Sequence, residues 1–131
     1  MNATISRLTQ LPARVTMPAI LLRLEGLALF TGAVTVYAYL GHSWWLFALL
    51  LLAPDLGALG YVHSLRLGSL TYNAVHTTSL PLLLGVACLL LGQPLGVQLA
   101  LIWLAHIGMD RTVGYGLKYS DAFKHTHLGE V

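Results

Sequence analysis

Charge is what this chain has least of. Its 131 residues include seven Lys and Arg and five Asp and Glu, 9% of the total, against 56% hydrophobic residues. Soluble domains carry about a quarter charged residues, and a mean hydropathy of +0.73 places the chain outside that class. Two windows, 26–54 and 67–109, hold no Asp, Glu, Lys or Arg at all. No basic patch for nucleic acid and no acidic tract can be drawn from what remains, so nucleic acid is excluded as a partner. The single cysteine, Cys88, rules out a disulfide framework. Set among Val86, Ala87 and Leu89, it reads as a small packed apolar residue. Internal repeats and low-complexity segments are missing too, so residues 1–131 read as one integral membrane domain without a linker.

What the chain does have is apolar length. A membrane span takes about 20 apolar residues, and four stretches meet that demand: 20–40, 44–62, 67–91 and 95–115. They predict an all-α, four-transmembrane-helix up-down bundle. The separators Gly41-His42-Ser43 and Gly92-Gln93-Pro94 are turn formers without charge, while Tyr61 to Arg66 carries His63 and Arg66. The first stretch does not read as a cleaved signal, because Arg23 and Glu25 interrupt its start. Arg7, Arg14, Arg23, Arg66, Arg111, Lys118 and Lys124 all fall on the side of both tails and the middle turn. By the positive-inside rule the termini are then cytoplasmic and the chain is a multi-pass protein of a bacterial inner membrane. Trp44 and Trp45 open the second span as belt residues at the opposite interface, and His42 beside them reads as a solvated turn histidine.

Up-down topology brings Glu25, Asp55, His76, His106 and Asp110 to one height. A charge at the centre of a span costs about 2.5 to 3.5 kcal/mol, so these carboxylates need partners. His106 and Asp110 are four apart and share a helical face, and Tyr72 and Asn73 stand within a turn of His76. Asp55 follows Pro54, which removes a backbone hydrogen bond and is expected to kink the second helix. Two imidazoles and two carboxylates from three helices are a competent shell for zinc, manganese or iron. Such an ion polarises a phosphoryl or carbonyl oxygen and activates water, which makes hydrolysis of a lipid-like ester or phosphoester from the cytoplasmic leaflet the economical reaction. Glu25 is the candidate catalytic base, or a fifth ligand. The bland reading is that His106 pairs with Asp110, Asp110 with Arg111 or Lys118, and Asp55 with His76, only to hold the bundle.

Arg111 and Lys118 can bind a lipid phosphate or simply anchor the chain at the headgroups. His125 and His127 alternate in a way that suits an extended tail, either capping the site or solvated. Three other functions use the same layer: ion, proton or small-molecule transport, haem ligation by His76 and His106, and a structural role. The partners expected are the lipid bilayer and a lipid-like substrate. Gly26, Gly32, Gly57 and Gly60 permit close helix contacts in an oligomer.

The run Pro54-Asp55-Leu56-Gly57-Ala58-Leu59-Gly60-Tyr61, then Tyr72-Asn73-Ala74-Val75-His76, Ala105-His106-Ile107-Gly108-Met109-Asp110-Arg111, Gly114-Tyr115-Gly116-Leu117-Lys118-Tyr119 and Thr126-His127-Leu128 closely resembles a family of small bacterial integral membrane proteins, domain of unknown function 4260. That resemblance covers nearly the whole chain and implies no activity. A weaker likeness is to membrane-bound metal-dependent hydrolases of the LexA-regulated inner-membrane type, which carry Pro-Asp, Thr-His-Ser and His-x-x-x-Asp elements in this order. It implies that Asp55, His76, His106 and Asp110 are metal ligands. The chain departs from it in having Gly57 where a second aspartate is usual, and Thr77 rather than serine directly after the histidine.

Overall fold

The computed structural model describes residues 15–131. Arg7 and Arg14, counted above toward the basic face, lie outside them. The described chain is all-helical, without a named strand, and runs as four rods. Helix α1 is Met17–Tyr39, capped by the Thr16 hydroxyl, which accepts from the Ala19 amide, and started by Pro18. The second rod is Trp44–Val62 and the third Leu65–Leu90; both differ from the uniform α-helices expected. The fourth is helix α5, Pro94–Val113.

The second rod begins as helix α2, Trp44–Leu50, and continues from Ala53 to Val62 as a 3-10 helix ten residues long. Pro54 therefore does more than kink an α-helix. It removes one amide from the ladder, and Gly57 and Gly60 then allow the thin 3-10 segment to lie directly on its neighbour, helix α3 (Leu65–His76). A Cβ on Gly57 would come within 2.9 Å of the Thr71 carbonyl oxygen, and one on Gly60 within 2.9 Å of that of Leu67. The Thr71 hydroxyl fastens the contact by donating to the Gly57 carbonyl at 2.6 Å.

The third rod breaks inside the stretch read as one span. Helix α3 stops at His76, Thr77 is extended, and helix α4 restarts as Ser79–Leu90. Pro81 explains the position of the break: its ring would clash with the carbonyl of Thr77, four residues earlier, and it offers that carbonyl no amide. The carbonyls exposed at the end of α3 find partners on α5. The Trp103 indole donates to Val75 at 2.6 Å and the Arg111 guanidinium to His76 at 2.9 Å.

Helix α5 is the axis of the molecule. It carries Ala100, Ile102, Ala105, His106, Ile107, Gly108 and Asp110 buried, more than any other element described. It meets α1 backbone to backbone: a Cβ on Gly108 would lie 2.5 Å from the Phe30 amide nitrogen, and one on Gly26 would lie 2.9 Å from the Gly108 carbonyl oxygen. Gly26, Gly57 and Gly60 are thus spent on contacts within the chain, while Gly32 faces open space. Three rods, Met17–Tyr39, Trp44–Val62 and Leu65–Leu90, are long and apolar enough to cross a membrane. They carry large apolar side chains outward, Trp45 and Val62 at 88% exposure among them.

At the turn between α1 and α2, Tyr37 is fully buried and surrounded by His42, Trp44 and Phe47, each at 5.2 Å between ring centroids. His42 is therefore part of an aromatic cluster, with its Nε2 buried, rather than the solvated residue expected. Cys88 packs as a small residue against Gly96.

Beyond α5 the chain does not trail into solvent. Gly114 takes φ +97°, a left-handed conformation open to glycine, which lets the Tyr115 amide return to the Asp110 carbonyl at 2.7 Å. The tail then folds back on the bundle with Leu128 buried, tied by an antiparallel bridge between Lys118 and Thr126. Asn73 of α3 holds it with both halves of its amide, donating to the Lys118 carbonyl at 2.7 Å and accepting from the Lys118 amide at 2.6 Å.

Candidate metal centre

Each irregularity of the backbone places one member of a cluster. Asp55 sits in the first turn of the 3-10 segment, directly after Pro54. His76 is the last residue of α3 before the break at Thr77. His106 and Asp110 project from one face of α5, a turn apart. His76 and His106 are fully buried, Asp110 is 5% exposed, and the Asp55 side chain is 52% exposed. One ligand atom from each residue lies within 4.8 Å of all the others.

Five of the six separations are close to the edges of a tetrahedron around a metal ion, and the sixth, between the two carboxylates, is within 4.8 Å. The two Nε2 atoms are 3.1 Å apart. From His76 Nε2 the carboxylate oxygens are at 3.4 Å (Asp55) and 3.3 Å (Asp110), and from His106 Nε2 they are at 3.3 Å and 3.2 Å. Metal–ligand bonds of about 2.0 to 2.1 Å in tetrahedral geometry require edges of about 3.3 Å.

Hydrogen bonding joins the two imidazoles through their Nε2 atoms but leaves part of the cluster unpaired. His76 Nδ1 is 2.7 Å from the Tyr72 carbonyl oxygen. A carbonyl only accepts, so Nδ1 carries a proton, and Nε2 is the ring atom turned toward the cluster, as in the tautomer a metal requires. Asp110 Oδ2 is buried and forms no bond of hydrogen-bond geometry, although both imidazoles are beside it. His106 Nδ1 is likewise buried without such a partner. Four electron-rich groups aimed at one point, one of them an orphaned carboxylate oxygen, match the donor set of a divalent transition metal. Haem is a poor match. Axial imidazoles stand about 4 Å apart, nitrogen to nitrogen, across a porphyrin plane, whereas here the rings meet edge to face with centroids 5.1 Å apart and leave no slot for a macrocycle.

Tyr72 lies flat on the His76 imidazole, 3.7 Å between centroids and 10° between planes. The Lys118 ammonium also lies over the Tyr72 ring, 4.6 Å from its centroid, and over the Phe123 ring at 3.6 Å. The tail is therefore stacked onto a cluster histidine through one tyrosine. A cavity of about 550 Å³ opens here, reaching Asp55 and Asp110 and walled by Tyr72, Lys118, Phe123 and Lys124.

Glu25 does not join the cluster. It is exposed on α1 and lines a different cavity of about 270 Å³, together with Thr77, Arg111 and His127. Equal height on neighbouring helices does not fix the direction in which a side chain points, and α1 turns this face away. Arg111 spends its guanidinium on the carbonyls of Tyr115 and His76 and serves as a staple between α5 and the end of α3. His127 Nδ1 accepts from the Leu117 amide at 2.8 Å, and burial, with the charge of Arg111, holds this imidazole below the ordinary histidine range. His125 lies between carboxylates, with Asp121 at 2.7 Å from Nδ1 and Glu130 at 2.6 Å from Nε2. The bond to Asp121 raises the His125 pKa and lowers that of Asp121. Neither tail histidine is in the cluster, and the carboxylates that engage His125 escaped sequence reasoning, although the spacing of Asp121 and His125 offered a signal.

A family model described as Domain of unknown function (DUF4260) matches residues 19–131. No curated protein and no solved structure matches the chain, so the likeness to metal-dependent hydrolases rests on its motif order alone.

Proposed function

The chain belongs to the DUF4260 family, whose description carries no activity, and from the site itself we propose a membrane-embedded metal-dependent hydrolase that acts on a lipid-like ester or phosphoester. The observation that carries this reading is the convergence of Asp55, His76, His106 and Asp110 on one point beside a cavity that can admit a substrate. A divalent ion held there supplies Lewis acidity at the floor of the cavity. Tyr72 and its carbonyl orient His76, α5 fixes His106 and Asp110, and half-exposed Asp55 is the member a substrate meets first. Because Glu25 lies in another cavity, the proton acceptor is best sought in Asp55.

In this reading α5 is the fourth crossing, sheltered by its neighbours, which is why it tolerates His106, Asp110 and Arg111 where the three outer rods are more apolar. Arg23, Arg66, Arg111, Lys118 and Lys124 share the end of the bundle that bears the tail, and the positive-inside rule assigns that end to the cytoplasm of a bacterial inner membrane. Transport is the weaker reading. The buried polar side chains among the described residues are Ser69, His76, His106 and Asp110, all in the tail-side half, with no polar continuation through the other.

Elemental analysis of protein purified without chelator is the direct test, paired with hydrolysis of p-nitrophenyl esters and phosphates before and after chelation. About one equivalent of zinc, manganese or iron is expected, with turnover lost on chelation and restored by the metal. Protein lacking stoichiometric metal, whose content His106→Ala leaves unchanged, overturns the proposal.

A further inference from the structure

Lys118 occupies an unusual position for a cation. Its ammonium is partly buried between the rings of Phe123 and Tyr72 and donates to the Phe123 carbonyl at 2.7 Å. That bond uses one of three donors. No carboxylate lies within ion-pair distance of it among the described residues. Burial depresses its pKa, with Asp110 opposing only at longer range. The free donors border the same cavity as Asp55 and Asp110, and Lys124 stands beside them.

Resting on the metal-centre reading, we infer that the cavity is built for a phosphate-bearing substrate, and that Lys118 is the residue that selects phosphate over a neutral or carboxylate group. The cavity would have a divalent ion at one wall and an unpaired ammonium at another. A phosphate ester brings negative charge to a cavity with a cation at each wall, and its several oxygens suit both the ion and charge-assisted hydrogen bonds from the ammonium. A carboxylic ester satisfies the metal and leaves the ammonium without a counter-charge, and a carboxylate brings one charge and two oxygens where a phosphate brings more of both. About 550 Å³ suits a headgroup or a small amphiphile rather than a macromolecule. Selection by Lys118 also has a structural consequence. Phosphate on the free donors, with the bond to the Phe123 carbonyl kept, ties occupancy of the cavity to the tail through Tyr72 and Phe123.

The test is calorimetric titration of metal-loaded protein in nanodiscs with hexyl phosphate, hexanoate and inorganic phosphate, with metal content measured on each sample. Hexyl phosphate is expected to bind at least about tenfold more tightly than hexanoate. Lys118→Met should abolish that preference without changing metal content, and Lys118→Arg should keep most of it. Inorganic phosphate binding as tightly as hexyl phosphate identifies a free phosphate compound as the ligand source, and weaker binding identifies an amphiphile; both uphold the phosphate site. Protein that loads metal but binds the two hexyl ligands equally, or loses nothing in Lys118→Met, overturns this inference alone. Protein that takes up no metal overturns the hydrolase reading and this one with it.

Discussion

At the end of the bundle that carries the tail, the backbone leaves the α-helix after Leu50, at Thr77 and at Gly114, and each departure delivers a polar group: Asp55 in the 3-10 turn, His76 at the break, and Lys118 in the returning tail. At the opposite end the turns at Gly41 and Gly92 join regular helices, and the interior is the aromatic cluster around Tyr37 beside a cavity lined by Leu40, Cys88, Leu89 and Pro94. Non-helical backbone at membrane depth is tolerated only where protein buries it or a cavity receives it. Here it coincides with the candidate site, so one end has traded regular hydrogen bonding for placement of functional groups.

The largest expected asymmetry between the two ends is in metal affinity. Asp110→Asn should weaken metal binding by at least about a hundredfold, beyond the 10 to 100-fold typical of groups that only support a ligand, while Cys88→Ala at the far end leaves it unchanged. Isothermal titration with zinc reads both, and equal effects would erase the distinction between the ends.

Next comes packing. Gly108→Ala drives a methyl into the Phe30 backbone and should destabilise by about 1 to 3 kcal/mol, whereas Gly32→Ala, with nothing within 4 Å, should be within about 0.5 kcal/mol of neutral. Thermal unfolding in detergent separates them. A large loss in Gly32→Ala would show that this glycine faces a partner.

The smallest effect is on the tail. His125 titrates above its ordinary value in the folded chain, so its contribution is complete below the unfolded pKa and disappears as pH rises through the raised one. Asp121 titrates below its ordinary value, so its contribution is present above the unfolded carboxylate pKa and disappears as pH falls through the lowered one. Protection of the Tyr119 amide, which donates to the His125 carbonyl, taken relative to its intrinsic exchange rate at each pH, should be highest between those limits and lower on either side. A profile unaltered by His125→Asn would remove the ion pairs from the account of tail docking.

Much of the site was legible because membrane topology restricts depth. His106 and Asp110 announced a shared face by their spacing, and Pro54 marked Asp55 as special. Azimuth was not legible: Glu25 has the right height, but a weakly amphipathic α1 gives no sign of which face turns inward. Pro81 signalled the break at Thr77, yet the apolar run on both sides concealed it. The docked tail depends on Asn73 meeting Lys118 across 45 positions, a pairing that no local pattern announces.

The 3-10 segment also changes a length. Nineteen residues from Trp44 to Val62, at about 1.5 Å each, would extend about 28 Å as an α-helix, just short of a hydrocarbon layer of about 30 Å. With the ten residues from Ala53 to Val62 unwound to about 2.0 Å each, the rod gains about 5 Å and reaches about 33 Å, past that layer. The stretch that presents Asp55 is thus also what carries the shortest of the three outer rods across the full layer, and rewinding it would leave the rod about 2 Å short.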